Sequence, residues 1–218
     1  MSSLRKYGYF CLFIFAAAVL SVSCSRTKPE ISYGFMELVL YQGDTKPEEY
    51  FSFFIIPEDE DGLENLDELY LYHDREQLRW VIKSDEWIEF TQNGQTWIGT
   101  RGIAIQDDMV LPRGVYRAVL VNKGGEKGER NFTFDAEVRY PFPELEIADG
   151  QYRVTSRWPD NRLVCYDSGG NYSTTVELQS LTGSVSQLKL PSNVRTASLW
   201  AEDAERFCSA FTNAVSTR

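Results

Sequence analysis

The side chains able to do chemistry are few and scattered. The 218-residue chain has a single histidine, His73, followed by Asp74. Acid–base catalysis by an imidazole needs a cleft and a partner within hydrogen-bond reach. His73 instead closes an apolar run just before the polar stretch Asp74-Arg75-Glu76-Gln77, where a solvated ring is the expectation. There is no Gly-rich phosphate loop opening a helix and no Gly-x-Ser-x-Gly elbow. Glu58-Asp59-Glu60-Asp61 offers oxygens to a calcium ion, which takes six to eight. Its spacing is not that of an EF-hand loop, Glu64 and Asp67 would have to fold back onto it, and a solvated acidic turn is expected. Asp107-Asp108 reads as another loop. The expectation is therefore a protein that is not an enzyme, with no catalytic residues, no metal ligands and no cofactor.

Binding chemistry is better represented. Aromatic residues make up 14% of the chain and cluster at Trp80, Trp87-Ile88-Glu89-Phe90 and Trp97. Exposed rings stack on sugars or anchor a protein partner. Trp87, after the loop-like Ser84-Asp85-Glu86, and Trp97 are the candidate ligand contacts, exposed side by side if the protein is a carbohydrate-binding module.

The strongest signal is at the start. Arg5 and Lys6 precede Tyr7–Val22, sixteen residues without charge, ending in small residues. That order is the form of a secretory signal peptide, and the run is short for a permanent membrane span. Ser21-Val22-Ser23-Cys24 resembles the lipobox of bacterial lipoproteins, in which the signal is cut before a cysteine that receives a fatty-acyl anchor such as palmitate. The box usually has Leu three places before the cysteine; here that place is Ser21 and Leu20 lies one further back. Looser boxes of this kind resemble those of spirochaete lipoproteins, and Ser25 resembles the residue that permits sorting to an outer membrane. The resemblance implies lipidation of Cys24, an envelope location on the periplasmic or the surface face, and no defined activity. Six residues, 25–30, then reach at most ~20 Å, so the body is expected to stay close to the bilayer.

Composition limits the partners. Two of the 22 basic residues and none of the 32 acidic ones precede Cys24, so the chain from there on carries a net charge of −12. Nucleic-acid affinity rests on Lys and Arg neutralising phosphates, which argues against such a partner. Anionic headgroups would repel this body, leaving the lipid to hold it. With Cys24 lipidated, Cys165 and Cys208 remain as a pair in a compartment where a disulfide can form, and a bridge between them is expected. One histidine and cysteines so committed leave too few ligands for zinc.

The elements that must position these residues read as short strands. Ile31–Gln42, Tyr50–Ile56 ended by Pro57, Leu69–Tyr72, Leu78–Lys83 and Thr96–Gly99 follow one another, the last after the hairpin signal Asn93-Gly94. Leu111-Pro112-Arg113-Gly114-Val115-Tyr116 resembles the F-strand entry of immunoglobulin-like domains, with Tyr116 as the tyrosine corner and Ala118 in the place of the core cysteine. In that family Trp80 would fill the sandwich core as the strand-C tryptophan does. Phe132–Arg139 alternates strictly as a half-buried strand.

Pro141-Phe142-Pro143 is a stiff break. Further strands are expected at Leu145–Ile147, Tyr152–Thr155, Arg162–Tyr166, Thr174–Leu178, Val185–Leu190 and Ala197–Trp200. The last stretch fits either a helix face (Ala204, Phe207, Cys208, Phe211, Val215) or an edge strand pairing Cys208 back towards Cys165, and the strand is favoured. The expected fold class is all-β: an immunoglobulin-like β-sandwich followed by a smaller β-rich module. Its expected organisation is 1–23 signal peptide, 24–30 lipidated tether, 31–140 sandwich and 141–218 C-terminal module. The protein is expected to be a non-catalytic envelope module with an unidentified protein or glycan partner.

Overall fold

The computed structural model describes residues 27–105 and 110–217; Cys24, everything before it and Asp107-Asp108 lie outside the described residues. The regular structure there is strands and single 3-10 turns. The first half holds β1 (Glu30–Tyr41), β2 (Glu48–Glu58), β3 (Leu66–His73), β4 (Leu78–Lys83), β5 (Ile88–Gln92), β6 (Gln95–Ile103), β7 (Gly114–Asn122) and β8 (Lys127–Phe134). The second half holds β9 (Glu144–Ala148), β10 (Gln151–Thr155), β11 (Asp160–Tyr166), β12 (Tyr172–Glu177) and β13 (Thr182–Ser184). After these come β14 (Thr196–Asp203), β15 (Cys208–Phe211) and β16 (Val215–Ser216). The fold is all-β.

Three sheets result. The longest has nine strands in the order β12-β11-β14-β15-β1-β2-β6-β5, with β16 alongside β14. A four-stranded sheet, β4-β3-β7-β8, and a three-stranded one, β13-β10-β9, complete the set. The two halves of the chain meet inside the long sheet, where β1 runs parallel to β15 from Leu38 opposite Cys208 to Tyr41 opposite Phe211.

Alternation along the strands assigns the faces. Leu38, Leu40, Phe51, Phe53, Ile55 and Ile98 turn one way from the long sheet and are buried against Leu69, Leu71, Ala118 and Leu120 of the four-stranded sheet. Leu163, Cys165, Ala197 and Leu199 turn the same way and are buried against Leu145, Tyr152 and Val154 of the three-stranded sheet. One long sheet thus carries two cores side by side on its inner face.

The immunoglobulin-like features are built from named contacts. Tyr116, fully buried, donates its hydroxyl to the Pro112 carbonyl at 2.8 Å, which is the tyrosine corner. Its ring lies 5.3 Å from Phe51 and 6.1 Å from Trp80, and the Trp80 indole donates to the Ala104 carbonyl at 2.9 Å. Gly128 stands where the entry to β1 crosses β8: a Cβ there would lie 1.8 Å from the Pro29 carbonyl oxygen. Asn93 and Gly94, at φ 53° and 75°, close the β5–β6 hairpin. The β3–β4 and β14–β15 hairpins share another closure. Each has one 3-10 turn (Asp74–Glu76 and Ala204–Arg206) followed by a left-handed non-glycine residue, Gln77 at φ 54° and Phe207 at φ 49°.

Several expectations are corrected. The Cys165–Cys208 bridge is not formed; both thiols are free and buried. Cys165 lies opposite Ala197 and Cys208 opposite Asp203, six residues further along β14, a separation of at least about 20 Å where a bridge needs Cα atoms within about 7 Å. Cys208–Phe211 is a strand, but it lies between β14 and β1 rather than at an edge. β2 passes through Pro57, and the register shift between Ile31 and Tyr33 opposite it is where a strand tolerates the missing N–H. The strand expected over Phe132–Arg139 stops at Phe134 although burial still alternates, because no neighbouring strand continues; the Ala136 carbonyl is held by Arg113 Nε at 2.7 Å instead. Val185–Leu188 is a 3-10 turn rather than a strand, ended by Lys189 at φ 51°.

Two outcomes follow. Tyr116→Phe keeps the ring and loses the corner hydrogen bond, so it should lower stability by about 1 kcal/mol, read as a lower urea midpoint at unchanged slope. Burial pushes the Cys208 thiol up to about 12 and raises that of Cys165. Iodoacetamide at pH 8 should therefore spare both in the native protein and alkylate both after unfolding without reductant, by peptide mass; a linked Cys165–Cys208 peptide would contradict this.

Candidate functional site

The residues that looked chemically competent in sequence are committed to the fold. His73 is 2% exposed rather than solvated. It ends β3 facing inwards, its ring 4.7 Å from Tyr116 and its Nδ1 accepting the Glu76 N–H at 3.3 Å. In the acidic turn the Asp59 carboxylate accepts the Asp61 N–H at 2.8 Å and the Asn65 amide at 3.2 Å, so its oxygens shape the turn. Trp87 and Trp97 do not stand side by side. Trp87 is half-buried against the main core. Trp97 lies opposite Phe90 in the β5–β6 hairpin, and since its neighbour Ile98 faces the core, Trp97 is on the outer face.

That outer face is where the uncommitted side chains gather. On β1, Leu38 and Leu40 point to the core, so Phe35, Glu37, Val39 and Tyr41 point away. At one end Trp97 is braced by Tyr33 (5.9 Å, 87°), by Phe35 (5.4 Å, 62°) and by Phe90, whose ring is parallel to it at 6.2 Å. Phe54 supports the group from beneath, 5.2 Å from Phe90 and 2% exposed, whereas Tyr33 is 54% exposed. At the other end Tyr41 meets Tyr50 at 5.2 Å and Phe211 at 5.9 Å, with Phe211 opposite Trp200.

Between the two ring groups lies a polar strip. The Ser209 hydroxyl donates to Glu37 Oε1 at 2.8 Å. Arg162 pairs with Glu202 at 2.8 Å and lies 5.1 Å over the Trp200 ring. Burial pushes the Glu37 carboxyl above its ordinary range, against the pull of the Ser209 hydrogen bond, with Glu202 adding repulsion and Arg101 attraction. Burial likewise raises the Tyr41 phenol. Beside Tyr33, between β1 and the end of β8, a cleft of about 250 Å³ runs past Phe132 to Arg206 and the 54%-exposed Phe207.

Sequence reasoning singled out Trp97, noted Phe90 in the same aromatic cluster, and missed Tyr33, Phe35, Glu37, Tyr41 and Trp200. Its signal was present in Tyr33–Tyr41, where apolar residues occupy both alternating sets.

Comparison with known proteins gives fold-level likeness alone. No family model matches the chain, and no curated protein matches it in sequence. Among solved structures it is similar to the 47-kilodalton lipoprotein Tp47 of Treponema pallidum, at 12% identity and a TM-score of 0.37 over 88% of this chain and 52% of that one. It is also similar to dimeric latent PorU from Porphyromonas gingivalis, at 12% identity and a TM-score of 0.32 over 89% of this chain and 20% of that one. Murine CEACAM1b matches at 7% identity and a TM-score of 0.25, over 84% of this chain and 99% of that one. The chain spans about half the length of the first of these and a fifth of the second.

The raised Glu37 carboxyl has a measurable sign. A carboxyl whose folded-state pKa lies above its unfolded value binds its proton more tightly in the fold, so ionising it costs stability as pH rises through that range. Glu37→Gln, which retains an oxygen for Ser209, should raise the melting temperature at pH 7, and the gain should close as the pH is lowered until Glu37 is protonated. A gain that is constant with pH would contradict the assignment.

Proposed function

We propose that the chain is a non-catalytic binding or structural module of a bacterial cell envelope, held against a membrane by a lipid on Cys24. The observation that carries the binding part is the outer face of the long sheet, where supported aromatic rings and hydrogen-bonding groups lie outside both cores. Burial of His73 against Tyr116 supports the non-catalytic part, since an imidazole packed into a core is not free to meet a substrate.

The anchoring part rests on the lipobox-like Ser21-Val22-Ser23-Cys24, and the fold is compatible with a short tether. The Thr27 carbonyl already accepts the Asn122 amide at 3.1 Å, so only Ser25 and Arg26 lie between Cys24 and the body, a reach of about 10 Å at full extension. The entry point lies beside Asp59 of the acidic turn, 3.5 Å from the same Asn122 amide. That end would be repelled by anionic headgroups, so acyl chains rather than charge would supply the attachment. On this reading the body belongs to the outer membrane, facing the periplasm or the surface.

The test is fractionation of cells expressing the full chain. Wild-type protein should need detergent for release from membranes, and Cys24→Ala should appear in the soluble fraction. Membrane retention of the Cys24→Ala protein would overturn the anchor.

A further inference from the structure

We infer that the outer face of the nine-stranded sheet docks a basic, arginine-bearing segment of another protein, lying across the strands from β12 to β2. The inference rests on the reading of the chain as a binding module and names the partner's chemistry.

The register assembles the surface. Glu177, Arg162, Trp200, Phe211, Tyr41 and Glu48 are successive partners across β12, β11, β14, β15, β1 and β2. Residues paired across a ladder share a face, so the six form one row on the outer side, about 24 Å long at the usual strand spacing. That length matches about seven residues of extended chain. Beside it runs a second row, Asp160, Glu202, Ser209, Val39 and Tyr50, in which Ser209 holds Glu37. Rings thus fill the middle of the band, and carboxylates flank them.

Charge selects the partner. Among the strand residues of this region, Glu37, Glu48, Asp160, Glu177 and Glu202 stand against Arg101 and Arg162, a net charge of −3. A second copy presenting the same face, a polyanion or an anionic bilayer surface is repelled. A cationic segment is attracted, and the net charge of −10 on the whole chain adds to the pull at long range.

Arg162 shows how this face takes an arginine. Its guanidinium lies 5.1 Å over the Trp200 ring, with Nη1 2.8 Å from Glu202 Oε2 and Nε 3.8 Å from Glu177 Oε1. A guanidinium stacks flat on a ring while its edge bonds carboxylates, which a compact ammonium does less well. The same pieces recur around Tyr41. Its ring meets Tyr50 at 5.2 Å, and Glu48, opposite Tyr41, accepts the Tyr50 hydroxyl at 3.2 Å. Ring and carboxylate are therefore in place before a partner arrives, so little side-chain freedom is lost on docking.

The experiment is isothermal titration of the full chain, purified in mild detergent, with a capped heptapeptide of alternating arginine and serine. The peptide should bind saturably, more weakly as salt is raised, and several-fold more tightly than its lysine analogue. Glu48→Gln combined with Asp160→Asn, both outside the two cores, should weaken it by about tenfold or more. Glu144→Gln combined with Glu146→Gln removes as much charge from exposed positions on β9 of the three-stranded sheet, and should leave binding within about twofold. Tyr41→Leu keeps apolar bulk without the ring and should narrow the difference between the arginine and lysine peptides, with circular dichroism reporting the fold. Absence of saturable binding would overturn the inference, as would equal losses in the two double variants or equal binding of the lysine or glutamate analogue. Spermine binding as tightly as the peptide would give the face to a polyamine, and a dimer that Tyr41→Leu dissociates would give it to a second copy; either result overturns it. None of these outcomes bears on fractionation of the Cys24→Ala protein, so the anchored-module reading stands or falls separately.

Discussion

The architecture depends on four residues of parallel pairing, Leu38–Tyr41 of β1 against Cys208–Phe211 of β15. Through them β11, β12, β14 and β16 join a sheet that would otherwise end at β1. The Leu38 N–H donates to the Phe207 carbonyl at 2.8 Å and the Gln42 N–H to the Phe211 carbonyl at 3.1 Å, so the ladder is closed at both ends. Side chains reinforce it on each face. Leu38, Leu40, Cys208 and Ala210 enter the main core, and Ser209 bonds Glu37 outside. Because the pair is continuous with both cores, bending at the Pro141–Pro143 break would have to open it. Trp158 guards the same junction from the other side, 4% exposed with its indole on the Pro141 carbonyl at 3.0 Å.

Among the described residues, one shared sheet with two cores on its inner face has no further sheet packed on its outer face. Small side chains keep the centre of that face low: Ser52 and Ser209 are almost inaccessible beneath their larger neighbours. The rings therefore stand at the two ends, and the polar groups lie between them. This distribution follows from strand alternation, and it is why the surface chemistry is spread over residues far apart in sequence.

Local chemistry was legible in the sequence and long-range chemistry was not. Leu78–Lys83 was bounded correctly because a charged turn precedes it and an acidic loop follows, and the β5–β6 hairpin announced itself through Asn93-Gly94. Tyr116 was identified by the residues around it, since the corner bond reaches only to Pro112. The fate of Cys165 and Cys208 depended on which strand separates them, and nothing near either cysteine encodes β14. His73 looked solvated because its neighbours in sequence are polar, whereas Tyr116 beside it in space is not. In Tyr33–Tyr41 both alternating sets are apolar, a pattern shared by strands buried on two sides, so the uncovered face could not be told from a second core.

The recurring hairpin closure bears on how the chain reaches this state. Gln77 and Phe207 each end a 3-10 turn in the left-handed region, one in each half, so β3–β4 and β14–β15 both have their register set by adjacent residues. Such pairs form quickly because little loop entropy opposes them. Glu37 and Ser209, by contrast, are 172 positions apart, and their union waits until β15 has been made. Assembly is thus expected to be hierarchical, with two locally organised halves present early and the slow step being the search of β15 for β1.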